Sequence, residues 1–134
     1  MSIEIKPVNK KDYKFLYRLL KQRPKSESIS HRCVPTYKEH INYQKEFPFN
    51  VNAIIFVDRK RVGNFYETDR HEIGIHVLPG YDYLVRNIVE ALICQCGRSK
   101  ERIYFNINPK DKRFKSLLTK NCRLIQHTYE NILS

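Results

Sequence analysis

Residues 72–85 read Glu-Ile-Gly-Ile-His-Val-Leu-Pro-Gly-Tyr-Asp-Tyr-Leu-Val, and this stretch indicates the fold. Hydrophobic residues alternate with other residues in its first part, which predicts a β-strand over Glu72–Leu78. Pro79 and Gly80 break this strand, and Asp82 is expected to precede the next helix as its N-terminal cap. The apolar residues that follow recur at helical spacing: Leu84, Val85, Ile88, Ala91 and Leu92. The stretch therefore predicts a strand, a tight turn and a helix.

The segments after this helix extend the pattern. Gly97 is expected to end the helix, and Arg102–Ile107 has the composition of a second strand. A strand, a helix and a strand in this order predict that the two strands lie parallel and adjacent, joined by a right-handed crossover. Beyond them, Lys112–Asn121 predicts a short helix and Leu124–Asn131 predicts a final strand.

The first part of the chain predicts a strand and two helices. The strand covers Ser2–Val8, and the first helix begins at Asn9. Its predicted apolar stripe is Tyr13, Leu16, Tyr17 and Leu20. Thr36 and Glu39 form a capping box ahead of a second helix, Tyr37–Phe47.

A β-hairpin links these helices to the stretch at residue 72. Val51–Val57 and Val62–Thr68 are its strands, and the charged residues 58–61 form its turn. The complete order is β-α-α-β-β-β-α-β-α-β, which predicts a mixed sheet with helices on both faces. The fold class is therefore α/β (α+β).

Length and charge limit the classes of function. The 134 residues fit one domain, residues 1–134, and no apolar run approaches the roughly 20 residues that span a bilayer, so no membrane partner is expected. Lys and Arg number 25 against 14 Asp and Glu, and the resulting charge of +11 favours polyanions such as nucleic acid, an anionic membrane surface or a phosphate-bearing small molecule. The chain has four cysteines and no signal-peptide stretch, which predicts reduced thiols and a cytoplasmic location. The cysteines also lack the spacing of metal ligands, so no metal site is expected.

The run from Glu72 to Pro79 ahead of a helix, within this order of elements, resembles the GNAT family of acyl-CoA-dependent N-acyltransferases. The stretch from Ile107 to Ile125 resembles the second half of that family, so the resemblance covers nearly the whole chain. It implies a mostly antiparallel sheet, acetyl-CoA as co-substrate, and transfer of acetyl to a primary amine of a small molecule such as an amino sugar.

The resemblance also implies where coenzyme A binds. Its pantetheine arm is expected to run along the fourth strand as an added strand. Its diphosphate is expected at the start of the following helix, where backbone N–H groups point outward. The implied cofactor-binding residues are Ile75, Val77, Tyr83, Leu84, Val85, Arg86 and Lys112. The loop after Pro79 is shorter than the phosphate-binding loop of the family and has one glycine, and Asp82 adds a negative charge there, so weaker binding is expected.

Two residues of the fourth strand are candidates for the general base. Glu72 resembles in position the glutamate that some GNAT enzymes use to deprotonate the amine, and Gly74 is expected to leave room beside it. His76 lies on the same strand face, since residues i and i+4 share a side, and histidine changes charge nearest neutral pH. A strand-end glutamate paired with a neighbouring cation is the competing interpretation of Glu72.

A second function from another class stays open. The chain would then be a GNAT-shaped module without catalysis that binds an anionic partner, nucleic acid or nucleotide, through its basic surface. The expected partner is otherwise the small-molecule amine acceptor, and a homodimer is left open.

Overall fold

The computed structural model describes residues 2–22, 34–99 and 104–105. Its strands are β1 (Ile3–Pro7), β2 (Phe49–Val57), β3 (Lys60–Thr68), β4 (Glu72–Val77) and β5 (Tyr104–Phe105). Its helices are α1 (Tyr13–Gln22), α2 (Tyr37–Glu46) and α3 (Asp82–Ser99), and a 3₁₀ turn, Lys10–Asp12, leads into α1. Within these ranges, no helix is long and apolar enough to cross a membrane.

The five strands form one sheet in the order β1-β2-β3-β4-β5. The first three pairings are antiparallel, and β4 pairs with β5 in parallel, with Glu72 opposite Tyr104 and Ile73 opposite Phe105. The prediction of adjacent parallel strands around α3 is therefore confirmed, and so is the α+β class with a mostly antiparallel sheet.

Two hydrophobic cores lie on opposite faces of the sheet, because neighbouring residues of a strand point to opposite sides. Ile55 packs with residues of α3, of which Leu84, Val85 and Val89 are almost fully buried. Ile54 packs on the other face, against α1. Full burial of each such side chain stabilises the fold by roughly 1.5–3 kcal/mol. The predicted helices on both faces are thus confirmed, and β4 lies in the sheet with a helix layer on either side.

Two details of the helices differ from the sequence prediction. The helix α3 continues to Ser99, so the expected end at Gly97 is wrong; a glycine near a helix end costs only about 1 kcal/mol relative to alanine. The buried side chains of α1 are Phe15, Leu16, Leu19 and Leu20, whereas Tyr13 and Tyr17 are half-buried at its border. The predicted elements Lys112–Asn121 and Leu124–Asn131 lie outside the described residues.

The predicted capping box holds the start of α2. The Glu39 N–H donates to Thr36 Oγ1 at 3.2 Å, and the Thr36 N–H donates to Glu39 Oε1 at 3.1 Å. Hydrogen bonds from the side chain and backbone of Thr36 lower the pKa of the Glu39 carboxyl below its ordinary value of 4.5. A lowered pKa in the folded state stabilises α2 above that value, and the stabilisation is lost as the pH falls through the folded-state pKa.

Gly63 of β3 lies against the backbone of β4. A Cβ placed there would lie 2.7 Å from the carbonyl oxygen of His76 and 2.8 Å from Cγ1 of Val77. The first of these atoms belongs to the backbone of β4, which cannot move without disturbing the sheet. Gly63 is therefore required for the pairing of β3 with β4.

We expect Gly63→Ala to lower the free energy of unfolding by about 1–3 kcal/mol or more, because the new methyl group overlaps the backbone of β4. Urea denaturation followed by circular dichroism measures this loss. Gly74→Ala is the comparison variant: its methyl group overlaps the Tyr66 ring rather than the backbone of β4, so it displaces one side chain and a smaller loss is expected. A loss in Gly74→Ala equal to that in Gly63→Ala would contradict this account of the β3–β4 contact.

Candidate active site on β4

The candidate catalytic residues Glu72 and His76 share one face of β4 with Gly74. The register places Gly74 opposite Tyr66, and His76 opposite Asn64, on β3. We name Glu72, Gly74, His76 and Tyr66 the site face. It lies on the same side of the sheet as α1, because Ile54, which packs on α1, pairs with Asn64.

The ring of Tyr66 lies directly against Gly74. The atoms nearest to a Cβ at Gly74 are Cζ, Cε1 and the hydroxyl oxygen of Tyr66. The expectation that Gly74 leaves open room beside Glu72 is therefore wrong, because the phenol ring of the neighbouring strand occupies that room. The consequence is that a phenol hydroxyl lies between Glu72 and His76 along the site face. The sequence could have indicated Tyr66 only through the strand register, which sequence patterns do not fix.

Glu72 and His76 differ in their surroundings. Glu72 is half-buried at the start of β4, where its N–H donates to Thr68 Oγ1 at 3.2 Å. His76 is 8% exposed, and its ring centroid lies 6.0 Å from that of Tyr66. Both ring nitrogens of His76 are closed to solvent. Glu72 is thus the more accessible of the two candidate bases, and His76 is enclosed.

A chain of amide hydrogen bonds connects the sheet beside the site face to α2. Asn64 Nδ2 donates to the carbonyl of Ala53 at 2.8 Å and to Asn52 Oδ1 at 3.0 Å. Asn52 Nδ2 donates to Gln44 Oε1 at 2.7 Å, and Gln44 Nε2 lies 3.4 Å from His40 Nε2. An amide NH₂ group can only donate, so His40 Nε2 accepts from Gln44. These bonds fix the position of α2 over the sheet.

Aromatic rings continue the site face towards α2. The centroid of Phe49 lies 5.6 Å from that of Tyr66 and 4.6 Å from that of Phe47. Tyr43 of α2 lies 5.0 Å from Phe47 and is 39% exposed. Such offset and edge-on contacts stabilise by about 0.5–1.5 kcal/mol beyond burial. The site face is therefore bordered by a wall of rings that begins at His76 and reaches solvent at α2.

The connection from β4 to α3 is a tight turn. The Tyr81 N–H donates to the carbonyl of Leu78 at 3.2 Å, and Gly80 has a φ of 91°. Pro79 and Gly80 thus hold the central positions of a type II turn, in which the third residue needs a positive φ. Nothing lies within 4 Å of a Cβ placed at Gly80, so the space beside the turn is open.

The start of α3 differs from the expectation in one respect. Asp82 is the first helical residue, not the residue that precedes the helix, and both Asp82 and Tyr83 are exposed. The Leu84 N–H donates to the Tyr81 carbonyl at 3.0 Å. The side chains of Leu84 and Val85 belong to the core, so these two residues could reach a ligand only through their backbone.

The remaining predicted cofactor residues fall into three places. Ile75 and Val77 lie in β4, where Ile75 is buried in the α3 core. Arg86 is on the exposed side of α3, and its Nε lies 3.3 Å from Glu90 Oε1. Lys112 lies outside the described residues. In the part of the chain that the structure describes, no group of three or more His, Cys, Asp or Glu could hold a metal ion.

Comparison with known proteins identifies the fold. No protein-family model matches the chain, and no curated protein matches it. Among solved structures, a domain from Methanocaldococcus jannaschii has a TM-score of 0.67 and 18% identity, over 87% of this chain and 86% of that one. The aminoglycoside N-acetyltransferase AAC(6')-Iy in complex with CoA has a TM-score of 0.60 and 16% identity, over 97% of this chain and 96% of that one.

A second structure of AAC(6')-Iy, in complex with the bisubstrate analogue CoA-S-monomethyl-acetylneamine, has a TM-score of 0.57 and 14% identity, over 98% of this chain and 100% of that one. These similarities extend over most of each chain. At such identities they show the fold and not the activity. The chain has the GNAT fold, as the run from Glu72 to Pro79 predicts.

Proposed function

We propose that the protein is an acyl-CoA-dependent N-acyltransferase that transfers acetyl from acetyl-CoA to a primary amine of a small molecule. The observation that carries the proposal is the position of Glu72 and His76 on a β4 strand that pairs in parallel with β5 and leads through a tight turn into α3. The fold neighbours crystallised with CoA support the choice of co-substrate. An amino sugar is the acceptor that we propose, and the cytoplasm is the proposed location.

The residues present fit coenzyme A at the start of α3. The helix is 18 residues long, and its first residues, Asp82 and Tyr83, are exposed beside the open space at Gly80. Unsatisfied N–H groups and the helix dipole make such a start favourable for phosphate oxygens. Tyr83 would offer a backbone N–H group. That of Leu84 is shared with the Tyr81 carbonyl, and that of Val85, the fourth residue of the helix, donates within its first turn.

Bound acetyl-CoA would supply the thioester carbonyl that the amine attacks. The backbone of Ile75, His76 and Val77 would align the pantetheine arm by strand addition. The N–H groups of Ile75 and Val77, which point away from β3, would polarise the carbonyl. Lys112 remains a proposed contact for the 3′-phosphate or the ribose of the cofactor.

Residues of the site face would take the proton from the amine and give one to the leaving thiolate. A new N–C bond forms as the C–S bond breaks, so the amine must lose a proton and the leaving thiolate must gain one. Glu72 is the proposed base, with His76 as its rival. The hydroxyl of Tyr66, which lies against Gly74, is the proposed donor to the thiolate.

Substitution of Glu72 tests this assignment. With acetyl-CoA and a panel of primary amines, including amino sugars, we expect Glu72→Gln to lower kcat by about a hundredfold and to leave acetyl-CoA affinity unchanged, because a general base contributes to the rate and not to cofactor binding. Release of the free thiol measures the rate. Glu67→Gln is the matched control, since Glu67 pairs with Ile73 and therefore faces the other side of the sheet.

The companion variants His76→Ala and Tyr66→Phe separate the other roles. Full activity in Glu72→Gln with a collapse in His76→Ala would transfer the role of base to the histidine. Loss of activity in Tyr66→Phe would support the role of the Tyr66 hydroxyl as proton donor to the leaving thiolate. Failure of the wild-type protein to transfer acetyl to any amine, with no acetyl-CoA binding up to millimolar concentration, would contradict the proposed function.

The negative charge at the start of α3 gives a further prediction. We expect Asp82→Asn to tighten acetyl-CoA binding by up to about fivefold, because a carboxylate near the diphosphate repels it while the amide keeps the shape of the side chain. Isothermal titration measures this change. Asp69→Asn removes the same charge from the exposed turn between β3 and β4 and is expected to have no effect. Equal affinities in wild type and Asp82→Asn would indicate that the diphosphate does not lie at this helix start.

A further inference from the structure

The outer side of α1 and of the 3₁₀ turn before it carries a line of cations. Lys11, Lys14, Arg18 and Lys21 follow one another at spacings of three and four residues, and all of them are exposed. The opposite side of the helix is buried in the core with Ile54. No Asp or Glu occurs within Tyr13–Gln22, so no acidic side chain of α1 neutralises this line. Residues at these spacings lie on one side of a helix, about 5–6 Å apart at Cβ.

The tip of the β2–β3 hairpin adds cations next to the start of α1. Asp58 and Arg59 have φ values of 49° and 69°, which describes a two-residue turn with both central residues in the left-handed region. Arg59, Lys60 and Arg61 are exposed there. Arg61 Nε donates to Asp12 Oδ1 at 2.8 Å, and this bond ties the tip to the 3₁₀ turn that leads into α1.

Lys6 of β1 lies beside the hairpin tip. Its Nζ lies 5.4 Å from the centroid of the Phe56 ring, and the guanidinium carbon of Arg61 lies 5.5 Å from the same centroid. The two cations therefore share one ring. We name the combined surface the basic ridge: Lys6, Lys10, Lys11, Lys14, Arg18, Lys21, Arg59, Lys60 and Arg61.

The acidic groups near the basic ridge neutralise little of it. The Asp12 side chain is 4% exposed and is occupied by Arg61. Glu4 Oε2 lies 3.3 Å from Lys6 Nζ on the surface, and Asp58 Oδ1 accepts from the Ser2 N–H at 2.8 Å. The lysines of α1 and those at residues 10 and 60 have no acidic partner among the described contacts, so the surface has a strong positive potential.

We propose that the basic ridge binds the phosphate backbone of a nucleic acid without reading its sequence. Lysines outnumber arginines in it, and a lysine acts on phosphate as a point charge rather than as a reader of base edges. Neither α1 nor the hairpin tip carries an exposed large hydrophobic residue among those described. Ile3 and Ile5 of β1 are exposed but face the other side of the sheet from Lys6, because Ile5 pairs with Ile55 of the α3 core. A membrane-binding helix needs an apolar face to insert, and a protein interface needs apolar or aromatic anchors, so both alternatives fit less well.

Fluorescence anisotropy with a labelled single-stranded RNA and a labelled DNA duplex of unrelated sequence tests the proposal. The wild-type protein is expected to bind both, with an affinity that falls steeply between about 50 and 200 mM salt as counterions are released. Lys14→Gln/Arg18→Gln/Lys21→Gln is expected to weaken binding at least about tenfold and to reduce the slope of log K against log salt by about 2–3, since each phosphate contact contributes about 0.7–0.9.

Two further variants make the result specific. Arg59→Gln/Lys60→Gln alters only the hairpin tip and is also expected to weaken binding. Lys38→Gln/Lys45→Gln/Arg70→Gln removes three exposed cations from outside the basic ridge and serves as the control for net charge. Circular dichroism confirms that each variant is folded.

The proposal would be overturned if the control variant lost as much affinity for nucleic acid as the α1 variant. It would also be overturned if no variant bound nucleic acid more weakly than the wild-type protein. Binding to anionic phospholipid vesicles in place of either nucleic acid would overturn it as well. The outcome is independent of acyl transfer, because no residue of the basic ridge belongs to the site face or to the start of α3.

Discussion

The antiparallel pairing of β3 with β4 places Tyr66 opposite Gly74 and Asn64 opposite His76, and the candidate site depends on it. Gly63 permits this pairing, because a Cβ there would meet the His76 carbonyl oxygen. The pairing of these two strands therefore sets the register of β4 and the positions of both candidate bases. The two glycines have different roles. Gly63 allows the backbone of β4 to approach β3, and Gly74 leaves space for the ring of Tyr66.

One face of β4 packs in a hydrophobic core, and the other carries the candidate catalytic residues. The face with Ile73 and Ile75 packs under α3 and holds the start of that helix against the sheet. The face with Glu72 and His76 lies on the α1 side, where polar and aromatic side chains lie beside the α1 core. Alternation along a single strand thus separates structural support from candidate chemistry.

The sequence predicts much of this fold because its signals are local. The capping box of Thr36 and Glu39, the hairpin and the strand before Pro79 all follow from periodicity and turn residues, and the structure contains each of them. The hairpin turn is shorter than the predicted residues 58–61, because β3 already begins at Lys60. The end of α3 is less well predicted, since a helix can continue past a glycine at modest cost.

The site is harder to predict than the fold, because its composition depends on register. The position of Tyr66 against Gly74 requires knowing which residues of β3 and β4 are opposite each other, and a shift by one residue would move the ring to the other face. The amide chain from Asn64 to His40 depends in the same way on where α2 docks. The basic ridge joins β1, α1 and a hairpin tip that are separated in sequence, so net charge alone could not locate it.

Binding of acetyl-CoA by β4 and the start of α3 together is the step on which the proposed function depends. Its most direct test is a titration of the isotope-labelled protein with acetyl-CoA, followed by NMR at each backbone amide. The account predicts saturable shifts at residues 74–77 and 82–85, which are the strand and the helix start that would meet the pantetheine arm and the diphosphate. Saturable shifts confined to α1 and the hairpin tip, or no shifts up to millimolar acetyl-CoA, would contradict it.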